Sequence, residues 1–384
     1  MQFEFATANR IVFGPGSVVR AGEIAAEYGT DALVVTGSHV GRAAPLFESL
    51  EANAVRYEHF SVSAEPTIEI VEEGRKRAHD FGCQMVISFG GGSPLDAGKA
   101  IAGLLTNGGQ VLDYLEVIGQ GRTLQKAAAP FLAIPTTAGP GTEVTRNAVL
   151  KSTERRVKVS MRSPLLLPKV ALIDPELTCS LPPGITAGTG LDAFTQALEG
   201  YVSNKANPMT DTTCREAMAR TARSLRRACE DGGDLSARED MCLASLFGGL
   251  AVANAKLGAV HGFAGPAGGM FPVPHGVVCA RLLPFVMEAN VRALQTRDPE
   301  SPVLHRYDDV ARILTGDASA TSADGVTWVQ HLCDALHIPA LSEYGMTQKD
   351  IPLLVENAAR ASSMQGNPIV LTPEELSRIL EQAL

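Results

Sequence analysis

The chain has no apolar stretch near the length needed to cross a bilayer, no basic run longer than the three residues Arg75-Lys76-Arg77, and no C-x-x-C pair. The first absence argues against a membrane protein, because a helical span needs about 20 consecutive apolar residues. The second, with a formal charge of −9, argues against a nucleic-acid partner. The seven cysteines, at positions 83, 179, 214, 229, 242, 279 and 333, are scattered and odd in number. They exclude a cysteine zinc cage or a disulfide framework, suit a reducing cytoplasm, and read mostly as small buried apolar groups. Internal repeats and low-complexity tracts are also missing, and the start Met1-Gln-Phe-Glu-Phe lacks the basic-then-apolar order of a signal peptide. What remains is an ordinary globular composition. Its 384 residues, 45% hydrophobic and 20% charged, suffice for two domains.

The most informative stretch is Met85-Val-Ile-Ser-Phe-Gly-Gly-Gly-Ser-Pro-Leu-Asp-Ala-Gly-Lys-Ala-Ile-Ala102. Met85 to Phe89 has the length of a buried strand, and Gly90 to Gly92 end it. Ser93 is placed to cap a following helix, with Pro94 at its first position and Leu95, Ile101 and Leu105 on its apolar side. Glycines let a backbone approach a ligand closely, and the free N–H groups of a helix start attract phosphate. The stretch is neither G-x-G-x-x-G nor a Walker loop. On its own it fits a phosphate site and an ordinary strand-to-helix turn equally well.

Up to about residue 180, strand-like runs alternate with helix-like ones. Asp31 to Gly37, Val55 to Val62, Phe131 to Thr136 and Val170 to Ile173 read as strands, and Thr67 to Phe81 as a helix. This order predicts a mostly parallel sheet with helices on both faces. After Leu181-Pro-Pro-Gly184 the strand signals nearly vanish. Ala187 to Val202, Asp211 to Arg227, Ala237 to Asn254, Val277 to Ala293, Ala320 to His337 and Thr372 to Leu384 read as helices. A boundary is expected near residue 182, giving an α/β domain over 1–181 and an all-helical domain over 182–384. Because ligands of open parallel sheets lie at the carboxyl ends of the strands, Gly37, Gly90 and Thr136-Thr137 should share one rim. A cleft closed over that rim by the helical domain would suit a nucleotide.

A second constellation lies in the helical half. Val260-His261-Gly-Phe-Ala-Gly-Pro-Ala-Gly-Gly-Met-Phe-Pro-Val-Pro-His275-Gly276 carries two histidines, and Asp192 and Gln196 stand at i and i+4 of a helix. A carboxylate, an amide oxygen and two imidazoles suit iron or zinc. The spacing of the histidines matches no local metal motif, however, and an early-helix aspartate also favours the helix dipole.

Together these segments make the chain resemble the iron-containing (group III) alcohol dehydrogenases, relatives of the dehydroquinate synthases. The resemblance rests on Ser88-Phe-Gly-Gly-Gly-Ser-Pro-Leu-Asp-Ala-Gly-Lys99, Ala133-Ile-Pro-Thr-Thr-Ala-Gly-Pro-Gly-Thr-Glu-Val-Thr145 and Gly190-Leu-Asp-Ala193. His261, Pro274-His275-Gly276 and Leu283-Pro-Phe-Val-Met-Glu-Ala-Asn290 complete it, and all are collinear over nearly the whole chain. It implies a dehydroquinate synthase-like fold, with an N-terminal dinucleotide-binding domain, an all-α C-terminal domain and one divalent metal ion, Fe2+ or Zn2+. Gly91, Gly92 and Ser93 would hold the pyrophosphate of the nicotinamide cofactor. Gly37, Ser38, Asp96, Thr136, Thr137, Asn147 and Lys158 would line the remainder of its channel. Asp192, His261 and His275 would bind the metal, with Gln196 in the fourth position.

The implied activity is reversible hydride transfer between NAD or NADP and an alcohol, aldehyde or ketone, on a small-molecule substrate, in a cytoplasmic homodimer. The rim Thr36-Gly-Ser-His-Val-Gly-Arg42 carries no acid to repel a 2′-phosphate, which permits NADP and tilts the choice toward it. Two positions depart from the family pattern. Gln196 stands where it usually has histidine, and Gly265 replaces a second histidine four residues after His261. The departures keep three rivals open: a metal-free oxo-acid reductase like the maleylacetate reductases, a dehydroquinate synthase-like lyase, and a catalytically silent nucleotide-binding relative. His59, His79 and His305 have no convergent partners in sequence, and His331 and His337, in the helix-like stretch of Trp328, read as surface or packing residues.

Overall fold

Six short runs, apolar in the central strands, pair edge to edge as parallel strands: β1 (Arg10–Phe13), β2 (Asp31–Thr36), β3 (Arg56–Ser61), β4 (Met85–Gly90), β5 (Phe131–Pro135) and β8 (Val170–Ile173). Their order is β1-β8-β5-β4-β2-β3 in this computed structural model, which describes residues 2–155 and 157–384. Every residue of β2, β4, β5 and β8 is buried, as expected of strands covered on both faces. Alternate side chains serve two cores. Leu33, Val35, Val86, Phe131 and Ala133 pack against α3 (Ile68–Phe81) and α4 (Gly92–Asn107). Ala32, Val34, Ile87, Leu132 and Ile134 pack against α1 (Ala21–Ala26) and α2 (Ala44–Ala52). The short α5 (Val111–Tyr114) follows α4.

Local chemistry sets the helix ends. The Thr67 hydroxyl accepts from the Ile70 N–H to start α3, and Gly82, in the left-handed region at φ 77°, stops it. At α4 the structure corrects the expectation that Ser93 caps the helix. Gly91 is the capping residue, Ser93 lies inside the first turn, and no side chain caps the start. That leaves the first N–H groups open to a ligand.

Two strands have no counterpart in the sequence reading. β6 (Asn147–Ser152) and β7 (Val157–Arg162) form an antiparallel hairpin beside the main sheet. The mostly parallel expectation holds for the six-stranded sheet, and the hairpin is an added piece.

The chain divides into two compact units, Ala6–Ser180 and Leu181–Leu384, the second also taking in the segment before Ala6. In the second unit the described residues are helical: α6 (Pro183–Val202), α7 (Pro208–Glu230), α8 (Leu235–Asn254), α9 (Ala259–Met270), α10 (His275–Arg297), α11 (Pro302–Thr315), α12 (Ser322–Ala335), α13 (Ile351–Ala359) and α14 (Pro373–Ala383), with short 3-10 turns between some of them. α6 is the buried axis, packed against α7, α8 and α10. Capping follows sequence again: Asn207 accepts from two N–H groups before Pro208 opens α7, and Thr372 and Glu375 cap α14 reciprocally.

Gly276 explains how α6 and α10 meet. A Cβ there would lie 2.4 Å from the Gly188 carbonyl oxygen, so the two backbones touch where any larger residue would wedge them apart.

Candidate functional site

In the first unit the predicted cofactor residues gather at one edge of the sheet. Thr36 pairs in register with Phe89, and Gly90 with Pro135, so Gly37, Gly91 and Thr136 leave adjacent strands at the same level. The chain order reverses between β2 and β4, which lie side by side although β3 intervenes in sequence. Such a reversal opens a crevice at the carboxyl ends of the strands. Gly91 and Gly92 pack against Thr137 and Pro140, where added Cβ atoms would fall 3.4 and 3.3 Å from side-chain carbons. The Thr136 N–H donates to the Gly90 carbonyl at 2.9 Å, tying β5 to the glycine turn.

Behind this turn lies a buried polar knot. The Lys99 ammonium donates to the carbonyls of Thr142 (2.6 Å), Thr145 (2.8 Å) and Asn147 (3.0 Å) and to the Thr145 hydroxyl. It thereby clips the β5 exit loop and the hairpin to α4. Burial raises the Asp96 carboxyl, while Lys99, the Val149 N–H and Lys158 act against that rise. Burial likewise lowers Lys99 against the pull of Asp96 and Glu143. Glu143, beside the same turn, is pushed up to about 7 by burial. Lys158 pairs with Glu65. The hairpin thus brings Asn147 and Lys158 to the group around Asp96. Ser38 lies exposed with its hydroxyl 3.1 Å from His39 Nδ1, and the Arg42 guanidinium donates to the Leu177 carbonyl.

In the second unit Asp192, His261 and His275 converge. Asp192 Oδ1 lies 3.3 Å from His261 Nε2 and 3.7 Å from His275 Nε2. Asp192 and His261 are buried, at 2% and 8% side-chain exposure, while His275 is 40% exposed and gives the cluster an open side. Cys279, one turn after His275 on α10, completes a group whose ligand atoms all lie within 4.8 Å of one another. His261 Nδ1 is 2.7 Å from Glu199 Oε2. A carboxylate only accepts, so Nδ1 carries the proton and Nε2 is turned toward Asp192. Glu199 also accepts from the Val260 N–H at 2.7 Å, capping the start of α9.

The electrostatics favour a cation. Burial opposes charge on His261, yet Cys279, Asp192 and Glu199 outweigh it and raise the imidazole well above its usual range. Burial would raise Asp192, but His275 and His261 hold it below the ordinary carboxylate value. Burial pushes the Cys279 thiol up to about 12. Two buried carboxylates thus draw a positive charge into the pocket, and a proton on His261 meets that demand as a metal ion would.

Gln196, one turn after Asp192 on α6, keeps a buried Oε1 with no hydrogen-bond partner among the described residues. The two imidazoles and the carboxylate are by themselves a donor set that fits a divalent metal.

Residues 8–175 match the family described as iron-containing alcohol dehydrogenase, and residues 186–384 match its C-terminal family. The chain belongs to the iron-containing alcohol dehydrogenase family. It is 35% identical over 359 residues to alcohol dehydrogenase 4 of Saccharomyces cerevisiae, covering 92% of this chain and 90% of that one. Identity to 1,3-propanediol dehydrogenase of Klebsiella pneumoniae is 34% over 394 residues, covering 99% and 98%. A solved 1,3-propanediol oxidoreductase superposes with a TM-score of 0.93 at 33% identity, with all of both chains covered. The chain is an oxidoreductase of the alcohol dehydrogenase type, in which the family implies a nicotinamide cofactor and a metal.

Within this iron-containing alcohol dehydrogenase, sequence reasoning left out two residues of the cluster. Cys279 reads in sequence as one more small buried thiol, although its i+4 spacing from His275 places both on one helix face. Glu199 gave no signal, because its role depends on α9 folding back to α6. Gly265, one turn after His261, faces open space, with nothing within 4 Å of an added Cβ.

Proposed function

We propose that the protein is an NAD(P)-dependent dehydrogenase that interconverts an alcohol with its aldehyde or ketone, with a divalent metal held by Asp192, His261 and His275. The observation that carries this reading is the convergence of these three donors, with Glu199 fixing the ring of His261. A bound divalent cation supplies Lewis acidity, polarising the carbonyl oxygen and stabilising negative charge on it. The protein's own residues do the positioning. Glu199 holds His261 in one tautomer, Gly276 keeps α10 against α6, and the α4 start with Gly91, Gly92 and Ser93 offers N–H groups to the cofactor pyrophosphate. His261 and His275 act as ligands and not as general acids, so the proton comes from water, a cofactor ribose hydroxyl or the substrate.

Asp96, Thr136, Thr137, Asn147 and Lys158 line the cofactor channel in this reading, and a boundary at residue 182 separates it from the metal-holding helices. Gly37 and Ser38 meet the adenosine ribose, where the absence of an acid admits NADP as well as NAD. Arg42 is committed to the Leu177 carbonyl, so Ser38 and His39 are the groups left to meet a 2′-phosphate. Fe2+ and Zn2+ both suit the donors. Open space at Gly265 favours a substrate larger than one that shares its pocket with a histidine. The relatives' names support an alcohol as the substrate class, and a homodimer is the expected assembly.

The test is His275→Ala. Turnover should be abolished while cofactor affinity, measured by NAD(P)H fluorescence, stays nearly intact. Unchanged turnover would remove the metal role. A metal-free oxo-acid reductase is the second reading, favoured by glutamine at 196.

A further inference from the structure

We propose that Cys279 is the fourth protein ligand of the metal, its thiolate taking the place that the family pattern gives to position 196. The inference rests on the metal reading above and goes beyond it in naming the donor. A tetrahedral site with ordinary Zn–N, Zn–O and Zn–S bonds sets its donors about 3.3 Å apart for N and O and about 3.6 Å apart for N and S. Four edges of that figure are present. His261 Nε2 and His275 Nε2 lie 3.3 and 3.7 Å from Asp192 Oδ1, and Cys279 Sγ lies 3.8 and 3.7 Å from the same two nitrogens. All four atoms fall within 4.8 Å of one another, so a single ion among them can reach each once the side chains draw in.

Gln196 packs against α8, its Oε1 lying 3.0 Å from where a Cβ of Gly248 would stand. A donor at position 196 on α6 is thus exchanged for a thiolate on α10. Helix geometry makes the exchange workable. His275 and Cys279 are one turn apart on α10, and the backbone contact at Gly276 and Gly188 draws that face onto Asp192. On binding, the thiol gives up its proton to solvent and coordinates as thiolate. A set of two imidazoles, one carboxylate and one thiolate is softer than a set without sulfur, which moves selectivity from Mn2+ and Mg2+ toward Zn2+.

The experiment is Co2+ substitution of the full-length protein, read by absorption rather than turnover. One equivalent of Co2+ should give intense tetrahedral d–d bands and a thiolate-to-cobalt charge-transfer band in the near ultraviolet. Cys279→Ser should still bind Co2+ but lose the charge-transfer band and bind at least tenfold more weakly. Gln196→Ala should leave the spectrum unchanged, and circular dichroism should show both variants folded. Stoichiometric Co2+ without the band, or a band that survives in Cys279→Ser, would overturn the thiolate ligand while leaving the metal-assisted dehydrogenase intact. A wild-type protein that takes up no Co2+ would overturn both.

Discussion

Glu199 and His261 are joined by a 2.7 Å contact between a buried carboxylate oxygen and Nδ1 of the ring. The same carboxylate caps α9 through the Val260 N–H, so one side chain both starts the helix and orients the ligand it carries. Glu199→Gln would place an amide donor against groups that already donate. Metal affinity should fall about 10- to 100-fold, as for other outer partners of metal-bound histidines. Stability should drop by about 1–3 kcal/mol. Competition titration with a chromophoric chelator and urea unfolding measure the two effects.

The Gly276–Gly188 contact predicts an asymmetry between two neighbouring glycines. A Cβ at Gly276 would meet the Gly188 carbonyl oxygen at 2.4 Å, whereas a Cβ at Gly188 would meet nothing closer than 3.7 Å. Gly276→Ala should therefore cost about 1–3 kcal/mol of overpacking and loosen the metal, because it parts α10 from Asp192. Gly188→Ala should be neutral or stabilising, since alanine is the better helix former by ~1 kcal/mol. Urea unfolding of the two variants decides it, and equal losses would contradict the geometry.

Position 265 offers a gain of bulk without a clash. Gly265→His should fold as well as the parent, because the added Cβ meets nothing within 4 Å and histidine suits a helix better than glycine. It narrows the pocket, so kcat/KM for branched or long alcohols should fall about tenfold or more relative to a short one. An unchanged ratio across a graded alcohol series would show that Gly265 does not face the substrate.

Much of this arrangement is legible in sequence, for physical reasons. β2 and β4 announce themselves because strands buried on both faces need unbroken apolar runs, as Leu33-Val-Val35 and Met85-Val-Ile87 supply. Asp192, His261 and His275 stand out as polar groups amid small and apolar neighbours. α9 is hidden because Gly262, Gly265, Pro266, Gly268 and Gly269 are poor helix formers, and only the Glu199 cap and its neighbours hold it in shape. The β6–β7 hairpin is hidden too, since neither strand has a long apolar run and Lys99, distant in sequence, anchors its start through the Asn147 carbonyl. Cys279 is legible only once His275 is known to begin a helix. Ser93 misleads because serine favours the capping position, which the backbone instead gives to Gly91.

The Glu143 carboxyl predicts a pH dependence. Burial raises its folded value to about 7, above the unfolded range near 4.3. Its contribution to stability is therefore full below about pH 4.3 and is lost as pH rises through 7. The loss amounts to roughly 3–4 kcal/mol across that window. Glu143→Gln cannot ionise, so relative to the parent it should gain stability between pH 5 and pH 8. Urea unfolding at the two pH values measures the difference, and parallel curves would show that Glu143 ionises normally.

Metal content bears most directly on the central claim, that Asp192, His261 and His275 hold a divalent cation. The measurement is mass spectrometry of untagged protein purified without oxygen or chelator. The account predicts close to one iron or zinc per chain, lost in Asp192→Asn. A protein that arrives empty and also refuses added Fe2+ and Zn2+ would contradict it.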